Sequence, residues 1–242
     1  MTAKSNASEA VFRNSILAAL QIPEVDLLRP HLSHATMVLG QVLHEENSPI
    51  SDVFFIENGV VSLTADTQDE GHVEVGLLGR EGFVGSSVIL NSEPWSVHRA
   101  FAQVPGDAYR MSAAALRFAV EESASLRHRC LRHVEMLMVQ SSQVAACNAR
   151  HNLPERLARW LLMVRDRTDS ESLPMTQQFL SVMLGVRRSG VSVAASTLQA
   201  GGLIRVLRGH VLILDHDGLA GAACDCYRII QKNRDRIFGV PD

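Results

Sequence analysis

No apolar run in the 242-residue chain reaches the roughly 18 residues that a membrane span requires, so no membrane association is expected. Met1–Ala10 lacks a basic region followed by an apolar core, which argues against a signal peptide. The four cysteines, Cys130, Cys147, Cys224 and Cys226, lack the paired spacing of a zinc finger and fit a reducing compartment. A cytoplasmic location follows. There is no Ser-His-Asp set, P-loop or dinucleotide fingerprint, so no enzyme is expected. The ten histidines include no His-x-His with a spaced Glu, and His44, His72 and His98 make a weak cupin set. His128 and His133, five apart, do not share a helix face. Most of the histidines read as surface or capping residues, and no metal ligand is assigned. Cys224 and Cys226 read as apolar-leaning helix cysteines, with a redox pair as the alternative.

The most informative absence is local. Between Thr176 and Leu214 there is no Asp or Glu, although Arg187, Arg188, Arg205 and Arg208 all fall there. The net charge of −3 over the whole chain hides this asymmetry. Carboxylates facing phosphates would repel them, so a carboxylate-free, arginine-bearing segment suits nucleic acid.

That segment has an ordered pattern. Thr176 suits an N-cap, Gln177–Leu184 a short helix, and Gly185 a turn that needs positive φ. A second helix is expected from about Arg187 to Ala200, stopped by Gly201-Gly202. Leu180, Leu184, Val186, Val191, Ala194 and Leu198 then face inward. Arg187, Arg188, Ser189, Ser192, Val193 and Ser196 remain on the outer side, suited to a DNA major groove. Two β-like runs follow, Leu203–Leu207 and Val211–Leu214, joined by a turn at Arg208-Gly209-His210. Helix, turn, helix, hairpin is the order of a winged helix-turn-helix.

The segments Leu173–Leu180, Gly185–Ser189 and Leu203-Ile204-Arg205 together resemble the Crp/Fnr family of bacterial transcription regulators. The resemblance implies a homodimer that binds a near-palindromic operator, with an N-terminal sensor domain and RNA polymerase as a further partner. It implies that Arg188 reads a guanine edge and that Thr176 and Gln178 bind phosphates. Ser189 and Val193 replace the family's usual acidic and later basic base readers. Ser192, Ser196 and the wing's His210 complete the candidate contacts.

Upstream, Glu9–Leu20 and Asp26–Leu32 read as short helical pieces behind a polar, mobile Met1–Ser8. From Thr36 to about Met111 short strand-like runs dominate: Gln41–His44, Val53–Ile56, Val60–Thr64 and His72–Leu78, with Asn58-Gly59 as a hairpin turn. They suggest an antiparallel β-roll of the jelly-roll type. Gly79–Ser87 is similar to the cyclic-nucleotide-binding roll of the same family. There the resemblance places a candidate effector pocket at Gly85, Ser86, Ser87, Ser96, Val97 and Arg99. The family's ribose-binding Glu is Ser86 here, and its phosphate-binding Arg falls near Ser96. Arg99 is three residues away, and an odd shift along a strand reverses the face. A cyclic phosphate without a fixed cation loses its main anchor, so cyclic AMP is not expected; the roll reads as structural, with no small ligand or with an unknown effector, and no cofactor is predicted. No Cys precedes Cys130, so the family's N-terminal iron–sulfur cluster does not carry over. One axial His is too weak a signal to decide a haem sensor.

From about Ala113 to His151 the chain reads as helical and is assigned to a long dimerisation helix; a helix of some 30 residues extends about 45 Å. Leu131, Val134, Met138, Ser141, Ala145 and Asn148 recur at spacings of three and four, a seam suited to a two-fold partner. Pro154 opens another helix, Glu155–Asp166, with Leu157, Trp160, Leu161 and Val164 inward. Asp169–Leu173 reads as a polar connector, Gly218–Arg228 as a terminal helix, and Gln231–Asp242 as a disordered tail. The reading is an α+β chain in three parts: residues 1–112 a β-roll sensor with short helices, 113–151 a dimerisation helix, and 152–242 a winged helix-turn-helix. Its rivals are a roll that binds a small molecule or metal without binding DNA, and an adaptor that dimerises through the long helix and uses the C-terminal domain for protein contacts.

Overall fold

The computed structural model describes residues 12–67 and 71–239. The polar segment Met1–Ser8, the start of the Glu9–Leu20 helix, part of the loop from Asp66 to Gly71 and the last three residues of the tail lie outside the described residues.

Two short helices lead in, α1 (Ser15–Ala18) and α2 (Ile22–Leu28). The Asn14 side chain caps α1, accepting from the Ile16 and Leu17 amides. A 3-10 turn at Arg29–His31 follows α2, with Pro30 in it. Eight strands come next: β1 (Ser33–Met37), β2 (Val42–His44), β3 (Asp52–Ile56), β4 (Val60–Asp66), β5 (His72–Leu78), β6 (Phe83–Val84), β7 (Arg99–Val104) and β8 (Gly106–Ser112). They make two antiparallel sheets, ordered β1-β8-β3-β6 and β2-β7-β4-β5. Met37, Ile56, Val61, Leu78, Val84, Ala100, Ala102 and Ala108 form one buried apolar cluster of the roll.

Asn58-Gly59 is not a hairpin turn. β3 pairs with β6 and β8, and β4 with β5 and β7, so this turn carries the chain from one sheet to the other. Gly59 does take φ 85°. A Cβ there would lie 2.7 Å from the Val104 carbonyl oxygen, so close approach of another turn requires the glycine as much as φ does.

The expected single long helix is two: α3 (Ala113–Glu122) and α4 (Ala124–Arg150). Ser123 separates them in an extended conformation, and its hydroxyl accepts from the Leu126 amide to cap α4. Leu126, Cys130, His133, Met136, Gln140 and Cys147 are the buried residues of α4. His133, read from sequence as a surface or capping residue, is therefore interior, with Nε2 3.0 Å from the Phe83 carbonyl oxygen. Helix α5 (Leu153–Thr168) begins with a capping box of Asn152 and Glu155, and Leu157, Trp160, Leu161 and Val164 are buried as the spacing predicts.

The remaining elements are β9 (Ser172–Pro174), α6 (Gln177–Met183), α7 (Arg188–Ala200), β10 (Ile204–Leu207), β11 (His210–Ile213), α8 (His216–Ala222) and α9 (Cys226–Phe238). The polar connector expected before Pro174 contributes a third wing strand, because β9 pairs with β11. The terminal helix expected over Gly218–Arg228 is broken between α8 and α9, and Asp215 caps α8 by accepting from the Gly218 amide. The tail read as disordered from Gln231 is helical to Phe238. Tyr227, Ile230 and Ile237 are buried on one side of α9, which packs along α4 and α5. That apolar row outweighs the charged residues between its members. Among the described residues no helix is long and apolar enough to cross a membrane.

The sheet β2-β7-β4-β5 is covered twice. Val61, Ala100 and Ala102 pack toward the roll cluster, whereas Val60, Leu77 and Phe101 join the core of α5, α6 and α7. Roll and helix-turn-helix thus share one apolar core.

Candidate nucleic-acid interface

The helix pair is set by its ends. Thr176 caps α6, its hydroxyl accepting from the Phe179 amide at 3.1 Å. At the other end Gly185 takes φ 61°, the Val186 amide donates to the Ser181 carbonyl, and Arg156 of α5 donates to the Leu184 carbonyl at 2.6 Å. Leu180, Leu184, Val191, Ala194 and Leu198 are buried and Val186 is half-buried, so the inner face of the pair is the expected one.

The outer face of α7 is open. Arg187, Arg188, Ser189, Val193 and Ser196 are exposed, Val193 by 68%. Arg187 precedes the first helical residue and takes the N-cap position without a side-chain cap bond. Ser192 is half-buried, and its hydroxyl lies 2.8 Å from Gln177 Oε1 and 3.1 Å from the Arg188 carbonyl oxygen. Bound in this way, it serves the packing of α6 on α7. Among the described residues none of Arg187, Arg188, Arg205 and Arg208 forms an ion pair. Arg205, Arg208 and His210 of the wing are exposed too, and Gly209 turns it with φ 78°. The exposed face is therefore cationic and free of carboxylates, the character phosphates attract.

Two grooves separate this face from the roll. Thr176 and His210 line one of about 590 Å³ with Phe179, Arg99 and Phe101. Gln178, Arg187 and Arg188 line another of about 880 Å³, whose far wall includes His72 and Val73 of β5. The helix-turn-helix turn rests on β5: a Cβ on Gly185 would lie 2.6 Å from Val73 Cγ2.

Of the six candidate effector residues, Arg99 is turned to the outer face of its sheet. Gly85 takes φ 101° and opens a 3-10 turn containing Ser86 and Ser87. Ser96 is buried in a loop pair, its hydroxyl donating to the His98 carbonyl at 2.7 Å, while Val97 is exposed. Arg99 alternates with Ala100 and Ala102, which belong to the roll cluster, and so lies on the opposite face of the sheet. It pairs there with Glu45 at 3.2 Å and sits over the Phe101 ring.

On α4 the candidate seam is mixed. Leu131, Met138, Ala145 and Asn148 are exposed and Val134 is half-buried. Ser141 turns instead to its own roll and donates to the Val75 carbonyl at 3.0 Å.

Two domain families match the chain: the cyclic nucleotide-binding domain over residues 37–123 and the Crp-like helix-turn-helix domain over 155–222. Together they account for more than half of it. The chain belongs to the Crp/Fnr family of transcription regulators. Solved structures share the family's two-part fold at low identity. FixK2 from Bradyrhizobium japonicum is 16% identical with a TM-score of 0.67, over 80% of this chain and 98% of its own. The c-di-GMP-responsive regulator CLP of Xanthomonas campestris is 16% identical at 0.66, over 81% and 100%. A putative crp/fnr regulator from Eubacterium rectale is 18% identical at 0.64, over 84% and 94%. No curated protein matches at a significant level.

Within this Crp/Fnr chain, sequence reasoning missed two polar clusters. At the shared core Glu74 accepts from Trp160 Nε1 at 2.6 Å, and its other oxygen lies 2.7 Å from the Ser62 hydroxyl, itself 2.5 Å from Gln103 Oε1. Burial pushes the Glu74 carboxyl up to about 7, against the pull of Ser62, Trp160, Arg159 and Arg167. The Ser62 hydroxyl faces two acceptors, Glu74 Oε2 and Gln103 Oε1, and its one proton serves one of them at a time. An alternating strand with one Glu gives no sign of this, because the partners come from β4, β7 and α5. The second cluster gathers Cys147, His151, Cys224 and Cys226 where α4 meets α8 and α9. Those residues are the only group of three or more His, Cys, Asp or Glu with metal-holding geometry among the described residues.

Proposed function

We propose that this Crp/Fnr chain acts as a homodimeric, sequence-specific DNA-binding regulator with α7 in the major groove. The observation that carries the reading is the outer face of α7 and the wing: four arginines that form no ion pair among the described residues, with no carboxylate from Thr176 to Leu214. Arg188 reads a guanine edge, and Val193 suits contact with a thymine methyl. Thr176 and Gln178 bind phosphates, while Arg187, Ser189, Ser192, Ser196 and His210 complete the contact surface. Two copies pair through the open face of α4, and their reading helices sit roughly 34 Å apart on a near-palindromic site.

The three parts, 1–112, 113–151 and 152–242, then divide the labour of sensing, pairing and reading. The roll senses a signal other than cyclic AMP. Arg99 on the outer face and Ser86 at the Glu position support this reading, since neither supplies the anchors of a cyclic phosphate. Cytoplasmic location and contact with RNA polymerase belong to the same reading.

Selection of bound sequences from a random DNA pool, followed by mobility-shift titration at two salt concentrations, tests it. A palindromic consensus with salt-sensitive affinity is expected. Absence of any sequence preference at low salt refutes it.

A further inference from the structure

We propose that Cys147, His151, Cys224 and Cys226 form a zinc site that clamps the end of α4 to the junction of α8 and α9. Each residue offers one ligand atom, and the four atoms lie within 4.8 Å of one another. The Cys147 and Cys224 sulfurs are 3.4 Å apart, and Cys226 Sγ is 3.4 Å from His151 Nδ1. Ligands around a tetrahedral Zn²⁺, at about 2.3 Å for sulfur and about 2.0 Å for nitrogen, stand roughly 3.5–3.8 Å from one another. The side chains need shift by no more than about an ångström to take that geometry.

The backbone prepares the arrangement. Cys147 and His151 are four apart at the end of α4, on one helix face, with His151 the extended C-cap. Cys224 and Cys226 flank Asp225 where α8 gives way to α9. More than seventy residues separate the two pairs in sequence, so no short spacing advertises them.

Charge and hydrogen bonding agree. Three thiolates, a neutral imidazole and Zn²⁺ carry a net charge of −1. Arg156 and Arg159, in the first two turns of α5, are close enough to act electrostatically on Cys147. Arg159 is only 3% exposed, and neither arginine has a hydrogen-bond partner for its Nε among the described residues. A buried guanidinium near a negative centre is compensated. Gln143 adds an outer bond, Nε2 donating to Cys226 Sγ at 3.1 Å. The sulfur-rich set selects a zinc-type ion over Ca²⁺ or Mg²⁺. A Cys147–Cys224 disulfide would use only two of the four groups and leave Cys226 against His151 unexplained.

The clamp spans the hinge at His151-Asn152 between α4 and α5. It thereby fixes the reading domain against the helix proposed to pair the subunits. The test uses full-length protein purified under reducing conditions and loaded with Zn²⁺ or Co²⁺ alone. One equivalent of zinc per chain is expected, together with thiolate-to-Co²⁺ charge transfer and the intense visible bands of a tetrahedral site. Cys224→Ser and Cys226→Ser are expected to lose both signals, and Cys130→Ala, which lies outside the site, to keep them. Chelation is expected to lower the thermal midpoint of the wild type and not of Cys226→Ser. An octahedral or thiolate-free Co²⁺ spectrum in the wild type overturns the proposal regardless of how the variants fold. So does substoichiometric zinc, a metal signal that survives Cys224→Ser, or a Cys147–Cys224 disulfide formed in place of metal binding. None of these readouts depends on DNA binding.

Discussion

Replacing Glu74 by Gln isolates the cost of ionising a carboxyl in the shared core. A folded value of about 7 against an ordinary 4.5 means that the folded chain holds this proton more tightly than the unfolded chain. Stability is then fully present below pH 4.5 and lost as pH rises to about 7, by roughly 3 kcal/mol in total. His133 works the other way. Burial pushes it down to about 4 from 6.5, so its contribution is lost as pH falls from 6.5 to 4. Between about pH 4.5 and 6.5 the two slopes oppose each other, and the wild-type profile is expected to be nearly flat there. Glu74→Gln keeps the shape and removes the titrating group, and its Oε1 still accepts from Trp160 Nε1. Urea titrations of both proteins from pH 4.5 to 8.5 give the difference directly, and groups common to both cancel. The variant is expected to match the wild type near pH 4.5 and to exceed it by up to about 3 kcal/mol above pH 7. A difference independent of pH, or a variant less stable than the wild type at pH 8, refutes the burial argument.

Arg188→Ala is expected to cost about 1–3 kcal/mol of specific binding and to relax one operator position, while a uniform loss on every sequence would make Arg188 a phosphate contact; competition mobility shifts tell the two apart. Leu131→Glu with Met138→Glu places two charges on the open face of α4 and is expected to yield monomers in sedimentation velocity with the fold retained by circular dichroism. A persisting dimer would move the interface elsewhere. Gly82→Ala would put a Cβ 2.2 Å from the His133 ring, so overpacking of about 1–3 kcal/mol is expected. Pairing it with His133→Ala should recover part of that loss, and additive effects would deny the contact.

The two-helix reading head was legible because its determinants are local: a Thr cap, a glycine at positive φ, and apolar residues at helical spacing. The strands from Val42 to Leu78 were legible for the same reason. Their partners were not. Asn58-Gly59 satisfies a hairpin turn and a sheet-to-sheet crossing equally well, and only the 104–106 turn packed against it decides. The helix beyond Gln231 was missed because Ile230 and Ile237 join a core built from α4 and α5, distant in sequence, while their neighbours are charged. Glu74 and the cysteine–histidine cluster were invisible for a related reason: each gathers residues from three or more elements, and no single stretch carries the signal.

The shared core sets a quantitative limit on how a signal in the roll can reach the reading head. β5 touches that head twice, through Val73 against Gly185 and through Glu74 against Trp160, so displacing one strand perturbs both the turn before α7 and the helix that supports it. Switching a two-state arrangement from 1:99 to 99:1 takes about 5.5 kcal/mol of differential binding. Ionisation of Glu74 offers at most roughly 3 kcal/mol, and that much only if the second arrangement hydrates it as fully as unfolding does, which falls short of the whole swing. The balance has to come from groups that distinguish the two arrangements; the candidates proposed above are a ligand of the roll and an ion at the α4–α9 clamp. The two would meet in the first two turns of α5, where Arg159 acts electrostatically on both Glu74 and Cys147. A chain whose DNA affinity responds to neither roll ligand nor metal would therefore have to hold its two arrangements within about 3 kcal/mol of each other, and its binding would then follow pH through Glu74.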